Sequence, residues 1–249
     1  MGINNMSRKY VAFAVAAFVI ALVAGNWLPR VTRVSADTAS VAVTGVVKFQ
    51  GAVLPPTKID MSSDPNCLKA HPSPGTTEDV IVGANGVLEN AVVYISGGLE
   101  GRTFTPPAEP VVLEQKGCTY KPHVIALQAN QKLNVVNADA TTHNIHPLPA
   151  NNREWNMTQP PGVPMEQSFA REEIAIPVKC NIHPWMRGYI AVFKHPYFAV
   201  TGKDGTFELK DLPAGNYTIT VWHGKLGTQS QQVTITAGQP SKLDFVFKQ

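Results

Sequence analysis

The stretch Cys180-Asn181-Ile182-His183-Pro184-Trp185-Met186-Arg187-Gly188 gathers a thiol, an imidazole and a thioether, with two residues between each donor and the next. With one further imidazole, these donor types make the trigonal His₂Cys set with a weak axial Met that holds a single copper ion. A soft thiolate suits Cu(I) and imidazole suits both oxidation states, so such a set can pass one electron back and forth. The missing imidazole has a source upstream, in Asn137-Ala138-Asp139-Ala140-Thr141-Thr142-His143-Asn144-Ile145-His146.

Rival metals fit these letters less well. A dinuclear copper loop needs two cysteines, and Cys180 stands alone in its segment. Multicopper oxidases need paired His-x-His elements, which do not occur. Zinc accepts Cys and His, but structural zinc sites close four positions with Cys and His rather than Met.

Cys-x-x-His-Pro-Trp-Met-Arg-Gly resembles the ligand loop of the amicyanin and plastocyanin branch of the cupredoxins, and its short gaps are closest to amicyanin. His143-Asn144-Ile145-His146 resembles the His-Asn-Val-His of the same family, whose first His is the ligand. Leu133-Asn134-Val135-Val136-Asn137 is similar to the strand that delivers it. The resemblance covers residues 111–193. It implies that His143, Cys180, His183 and Met186 bind one type 1 copper, with Asn144 tethering the two loops beside them. His146 stays open as an alternative to His143, although it faces the other side if the segment is a strand.

A ligating imidazole needs its second nitrogen satisfied. For His143 the expected acceptor is a buried carbonyl. His183 is expected at the surface, because Pro184 and Trp185 follow it in a short loop, and its exposed edge would be the electron port. Pro147, Leu148, Pro184 and Trp185 would form the docking patch for transient redox partners, with core packing as the other reading of Trp185. Pro184 stiffens the loop by fixing φ.

The elements that must position these groups read as all-β. Short β-branched or aromatic runs such as Gly45-Val46-Val47-Lys48-Phe49, Ala91-Val92-Val93-Tyr94-Ile95 and Thr218-Ile219-Thr220-Val221-Trp222 alternate with turn residues. Twenty prolines argue against long helices. Thr201-Gly202-Lys203-Asp204-Gly205-Thr206-Phe207 and Leu212-Pro213-Ala214-Gly215-Asn216-Tyr217 resemble the turns of the carboxypeptidase-regulatory-like, or transthyretin-like, β-sandwich. The opening strands of such a module are missing just upstream of Thr201, but similar segments occur at Gly45-Val46-Val47 and Gly83 to Tyr94. The expectation is therefore a cupredoxin Greek-key sandwich over residues 108–195, inserted into a regulatory-like sandwich built from residues 42–104 and 196–249. The alternative gives the cupredoxin its first strands from residues 41–95 and appends a truncated module.

Residues 1–36 read as a secretory signal or an amino-terminal membrane anchor. Arg8 and Lys9 precede an apolar run from Val11 to Ala24, shorter than the roughly 20 residues a spanning helix wants. Val34-Ser35-Ala36 and Val23-Ala24-Gly25 both offer small-residue cleavage sites. An exported, periplasmic location suits the cysteines. With Cys180 given to metal, Cys67 and Cys118 remain for a disulfide, worth roughly 4 kcal/mol in the chain-entropy model. The competing reading makes Cys67 and His71 part of a second metal site.

The whole chain carries +3, but Arg8, Lys9, Arg30 and Arg33 precede Asp37 and no acid does. Removing those four cations with the leader leaves −1, which gives no footprint for nucleic acid. Among the other histidines, His123 is expected to orient a loop, and His195 and His223 to approach one another where the two parts meet. Met157 and Met165 are expected to pack rather than to ligate. The function expected is one-electron transport without substrate turnover. Copper storage or delivery, with the second sandwich as an attachment module, is the alternative.

Overall fold

The strand Val41–Gln50 alternates buried and exposed residues along its length, with Val41, Val43, Val47 and Phe49 facing inward. Such alternation marks a strand with one face on a core. Its partners come from the far end of the chain. It pairs antiparallel with Thr206–Leu212 and parallel with Ser241–Lys242 and Phe245–Lys248. The computed structural model describes residues 40–53, 55–71 and 75–248, and the run read as a signal or anchor lies outside them. Among the described residues no helix is long and apolar enough to cross a membrane.

A second sheet, in the order Phe198–Val200, Val92–Gly97, Gly215–His223 and Gly227–Ile235, faces the first. Val93, Ile95, Ile219 and Val221 from this sheet share one core with Val43, Val47, Phe207 and Phe245. Both sheets thus mix strands that precede residue 98 with strands that follow residue 197.

The intervening chain builds two more sheets. One runs Val124–Gln128, Arg187–Phe193, Glu173–Lys179, His143–Pro147 and Met157–Gln159. The other runs Tyr120–Lys121, Val111–Gln115, Leu133–Asn137 and Met165–Gln167. Their core holds Leu113, Leu127, Leu133, Val135, Ile145, Ile176 and Ile190, and it extends to Cys180 and Met186. A smaller cluster of Val92, Val124, Ala191 and Phe193 joins the outer face of this part to the sheet carrying Val92–Gly97.

Among the described residues helix is scarce, as all-β patterning predicts. The exceptions are a six-residue helix, Pro65–Ala70, and one 3₁₀ turn, Ala84–Gly86. The short helix was not expected from periodicity, because six residues carry too few turns to show any. Its boundary signal is local instead. Asp64 caps it, accepting the amides of Asn66 at 2.8 Å and Cys67 at 3.3 Å, and Pro65 stands where a missing N–H costs nothing.

Gly45 shows how tightly the first sheet is closed. A β-carbon there would lie 1.7 Å from the Leu243 carbonyl oxygen and 2.7 Å from the Phe207 ring. The neighbouring backbone has to move to admit it, so Gly45→Ala is expected to cost about 3 kcal/mol. Urea unfolding checks this as a lower midpoint with an unchanged m-value.

Candidate metal centre

Strand register delivers the donors to one point. Glu173–Lys179 and Arg187–Phe193 form an antiparallel pair that closes at Lys179 opposite Arg187. Cys180, His183 and Met186 therefore all belong to the connecting loop. Lys179 also sits opposite His146, with Val178 opposite Pro147. Continuing that register past the end of the strand brings His143 alongside the loop. Within the loop the Met186 amide donates to the His183 carbonyl at 2.9 Å and the Cys180 amide to the Met186 carbonyl at 3.1 Å.

The donor atoms converge. His143 Nδ1 and His183 Nδ1 lie 2.9 Å apart, and Cys180 Sγ lies 3.8 Å from His183 Nδ1. The three side chains are buried and offer ligand atoms within 4.8 Å of one another. Met186 is 1 % exposed in the same core. His146 is not in this group. Its ring meets Asn181 Oδ1 at 3.3 Å and Glu154 Oε1 at 2.6 Å.

Both imidazoles turn their outer nitrogens to carboxylates. His143 Nε2 donates to Asp139 Oδ2 at 2.8 Å, and His183 Nε2 to Asp64 Oδ2 at 3.1 Å. The buried carbonyl expected for His143 is thus replaced by Asp139. That carboxylate is itself anchored by the amides of Gly117 at 2.6 Å and Cys118 at 2.8 Å. With hydrogens on Nε2, both Nδ1 lone pairs point inward at each other, an arrangement that favours a shared cation.

Electrostatics follow the same pattern. Burial pushes the Cys180 thiol up, but hydrogen bonding to His143 and to the His183 and Asn144 amides outweighs it and lowers the pKa. Both amides lie 3.3 Å from the sulfur. Burial opposes charge on His143, yet Asp139 and Cys180 raise its pKa. His183 moves the other way, since burial and then the charge of His143 outweigh Asp64 and favour the neutral ring. For Asp64, burial is outweighed by hydrogen bonds from Thr141, His183 and the helix amides, bringing its pKa to about 2. Two imidazoles and a thiol inclined to ionise, with Met186 buried in the same loop, make a soft donor set that fits copper better than zinc.

The structure corrects the expected port. His183 is 2 % exposed, because the segment carrying Asp64 and Cys67 lies over its ring, with Cys67 Sγ 3.8 Å from Nε2. Pro147 is likewise buried. Trp185 is half-buried, its ring centroid 5.1 Å from that of His183 and its indole N–H donating to the Cys118 carbonyl at 3.1 Å. Leu148 and Pro184 are exposed, as is Ile182. Of the expected docking patch, two residues therefore face solvent.

Cys67 and Cys118 form a disulfide, with Cα atoms 5.5 Å apart, and so Cys67 is not free to ligate with His71. The His71 ring bonds the Gly117 carbonyl instead. His195 packs among Phe104, Phe193 and Tyr197, whereas His223 lies beside Phe247, where burial and then His123 lower its pKa to about 4. The approach expected of His195 and His223 is not seen, since the two rings pack in separate aromatic surroundings. The His123 ring lies against Tyr189, with centroids 5.9 Å apart, and its Nδ1 is 3.4 Å from Glu78 Oε2. Met165 is buried, and Met157 is exposed with its sulfur accepting from Gln167 at 3.3 Å.

Asn144 ties the two ligand segments together. Its side-chain oxygen accepts the Asn181 amide at 3.0 Å and its NH₂ donates to Asn156 at 2.6 Å. The Tyr120 hydroxyl donates to its carbonyl at 2.5 Å. Asn144→Ala leaves the Asn181 amide without its acceptor, at an expected cost of about 1–3 kcal/mol measured by chemical unfolding of the metal-free protein.

No curated protein matches the chain. Solved structures similar to it include a Cu-containing nitrite reductase from Thermus scotoductus SA-01, at 18 % identity and TM-score 0.33. That match covers 40 % of this chain and 25 % of the reductase, so the chain spans about a quarter of it. The purple cupredoxin from Nitrosopumilus maritimus is 20 % identical, with 33 % of this chain and 98 % of that one covered and a TM-score of 0.29. Amicyanin from Paracoccus versutus is 17 % identical, with 40 % and 96 % covered and a TM-score of 0.31. Residues 190–248 match the family model of the carboxypeptidase regulatory-like domain.

Proposed function

We propose that this protein is an exported type 1 copper protein that carries one electron at a time. The observation that carries this reading is the convergence of His143 Nδ1, His183 Nδ1 and Cys180 in a buried pocket, with each outer imidazole nitrogen taken by a carboxylate. His143, Cys180 and His183 would hold the ion, with Met186 as the weak axial contact. Bound copper would supply a Cu(II)/Cu(I) couple.

The chain's own residues then have three tasks. The amides of Asn144 and His183 aim at the Cys180 sulfur and favour its thiolate. Asp139 and Asp64 hold the two rings so that their inner lone pairs stay aligned. Burial of all four donors excludes water, so the donor geometry has little room to change when the charge changes. A delivery site would want exposed, labile donors, and these are enclosed beneath a disulfide-bonded segment.

The Cys67–Cys118 disulfide supports an oxidising, extracytoplasmic compartment. The pairing of Val41–Gln50 and Val92–Gly97 with strands after residue 197 supports reading the copper-binding part as an insertion in a regulatory-like sandwich. Its partners on this reading are soluble or surface redox proteins met in brief encounters.

Copper-loaded protein is expected to absorb intensely in the visible and to show narrow copper hyperfine splitting by EPR, bleached by ascorbate. Cys180→Ser is expected to abolish the intense band. A colourless protein that binds Cu(I) or zinc alone would overturn the assignment.

A further inference from the structure

Asp64 comes from neither ligand segment, and its carboxylate is divided between two jobs. Oδ1 accepts the Asn66 and Cys67 amides and so starts the helix Pro65–Ala70. Oδ2 accepts Thr141 Oγ1 at 2.8 Å and His183 Nε2 at 3.1 Å. A helix cap needs only the first oxygen. We propose that Asp64 is a positioning residue for His183, fixing hydrogen on Nε2, presenting Nδ1 inward and closing the ring edge to solvent, and that the Cys67–Cys118 disulfide holds it there. The proposal rests on the copper reading above and extends it to control of that site.

The tether follows from physics. A six-residue helix is too short to hold itself in water. Its attachments are the fully buried Cys67, joined to Cys118, then Met61 in the core, and the His71 ring on the Gly117 carbonyl. Gly117 and Cys118 also supply the amides that anchor Asp139 behind His143. One disulfide therefore links the carboxylates behind both imidazoles. Hydrogen bonds to the outer nitrogen set a ligand's tautomer and basicity, and losing such a partner typically weakens metal binding about 10–100-fold. A fixed negative charge beside the ring also favours the more positive Cu(II) over Cu(I).

Asp64→Asn in the full chain separates positioning from capping. Asn caps helices about as well as Asp. With its oxygen kept on the helix amides, however, its NH₂ would face the His183 Nε2–H, donor against donor. Competition with a chelator of known affinity is expected to show Cu(II) bound about 10–100-fold more weakly than in the parent protein. Cu(I) should be affected less, so the reduction potential rises. In metal-free protein, ¹⁵N–¹H correlation spectra of the His183 ring should move away from the Nε2–H tautomer. A folded variant with unchanged affinity, potential and tautomer would reduce Asp64 to a cap and overturn the proposal.

A Cys67→Ser/Cys118→Ser variant keeps the carboxylate but frees the helix. It is expected to lose copper several-fold faster to a bulky chelator, and an unchanged rate would refute the tethering role. If the parent protein binds no copper, the functional reading fails by itself. The tautomer comparison in metal-free protein then still decides whether Asp64 positions His183.

Discussion

Two imidazoles and a thiol buried side by side impose a constraint that organises the surrounding structure. A buried ring whose inner nitrogen is reserved for a cation must satisfy its outer N–H with something inside the protein. Asp139 and Asp64 meet that demand, and each must then be anchored in turn. Asp139 takes the Gly117 and Cys118 amides, and Asp64 takes the first amides of a short helix together with Thr141. The disulfide joins these two anchoring points. Donor loop, carboxylates, helix and disulfide thus form one closed set of dependencies.

This arrangement changes how the centre meets its surroundings. An imidazole edge at the surface gives a direct path for an electron and an easy one for water. Here the His183 ring is covered, with Trp185 against it and Asp64 on its nitrogen. The surface at this end presents Ile182, Pro184 and the outer face of the helix rather than the His183 ring. On the proposed reading the enclosure would favour firm retention of a bound ion over exchange, and it would make the covering segment as much a part of the centre as the loops that carry the donors.

The second sandwich bears on this through its connections. The chain leaves it after Val92–Gly97 and returns at Phe198–Val200, and these two strands pair with each other. The covering segment, residues 55–71, is itself strung between Val41–Gln50 and Val92–Gly97. The part that presents Asp64 is therefore held at both ends by a different sandwich from the one that holds the donors. Val92, Val124, Ala191 and Phe193 fasten the two together.

All-β patterning, the donor types and the spacing in Cys180-x-x-His183-x-x-Met186 were legible because each depends on residues close together in the chain. Alternation along Val41–Gln50 and the Asp-Gly and Leu-Pro-x-Gly turns are likewise local. The leftover cysteines followed from counting. The burial of His183, the carboxylate behind each imidazole and the covering helix were not legible. Asp64 and His183 are 119 residues apart, and only strand register and the disulfide bring them to 3.1 Å. Asp64 and Pro65 suit the start of a helix once the helix is seen, but nothing local says what the second carboxylate oxygen will meet. The sequence alone determined which atoms were available to bind a metal. Tertiary structure decided which faced inward, what held them from behind and whether solvent could reach them, because burial is a property of the whole packing.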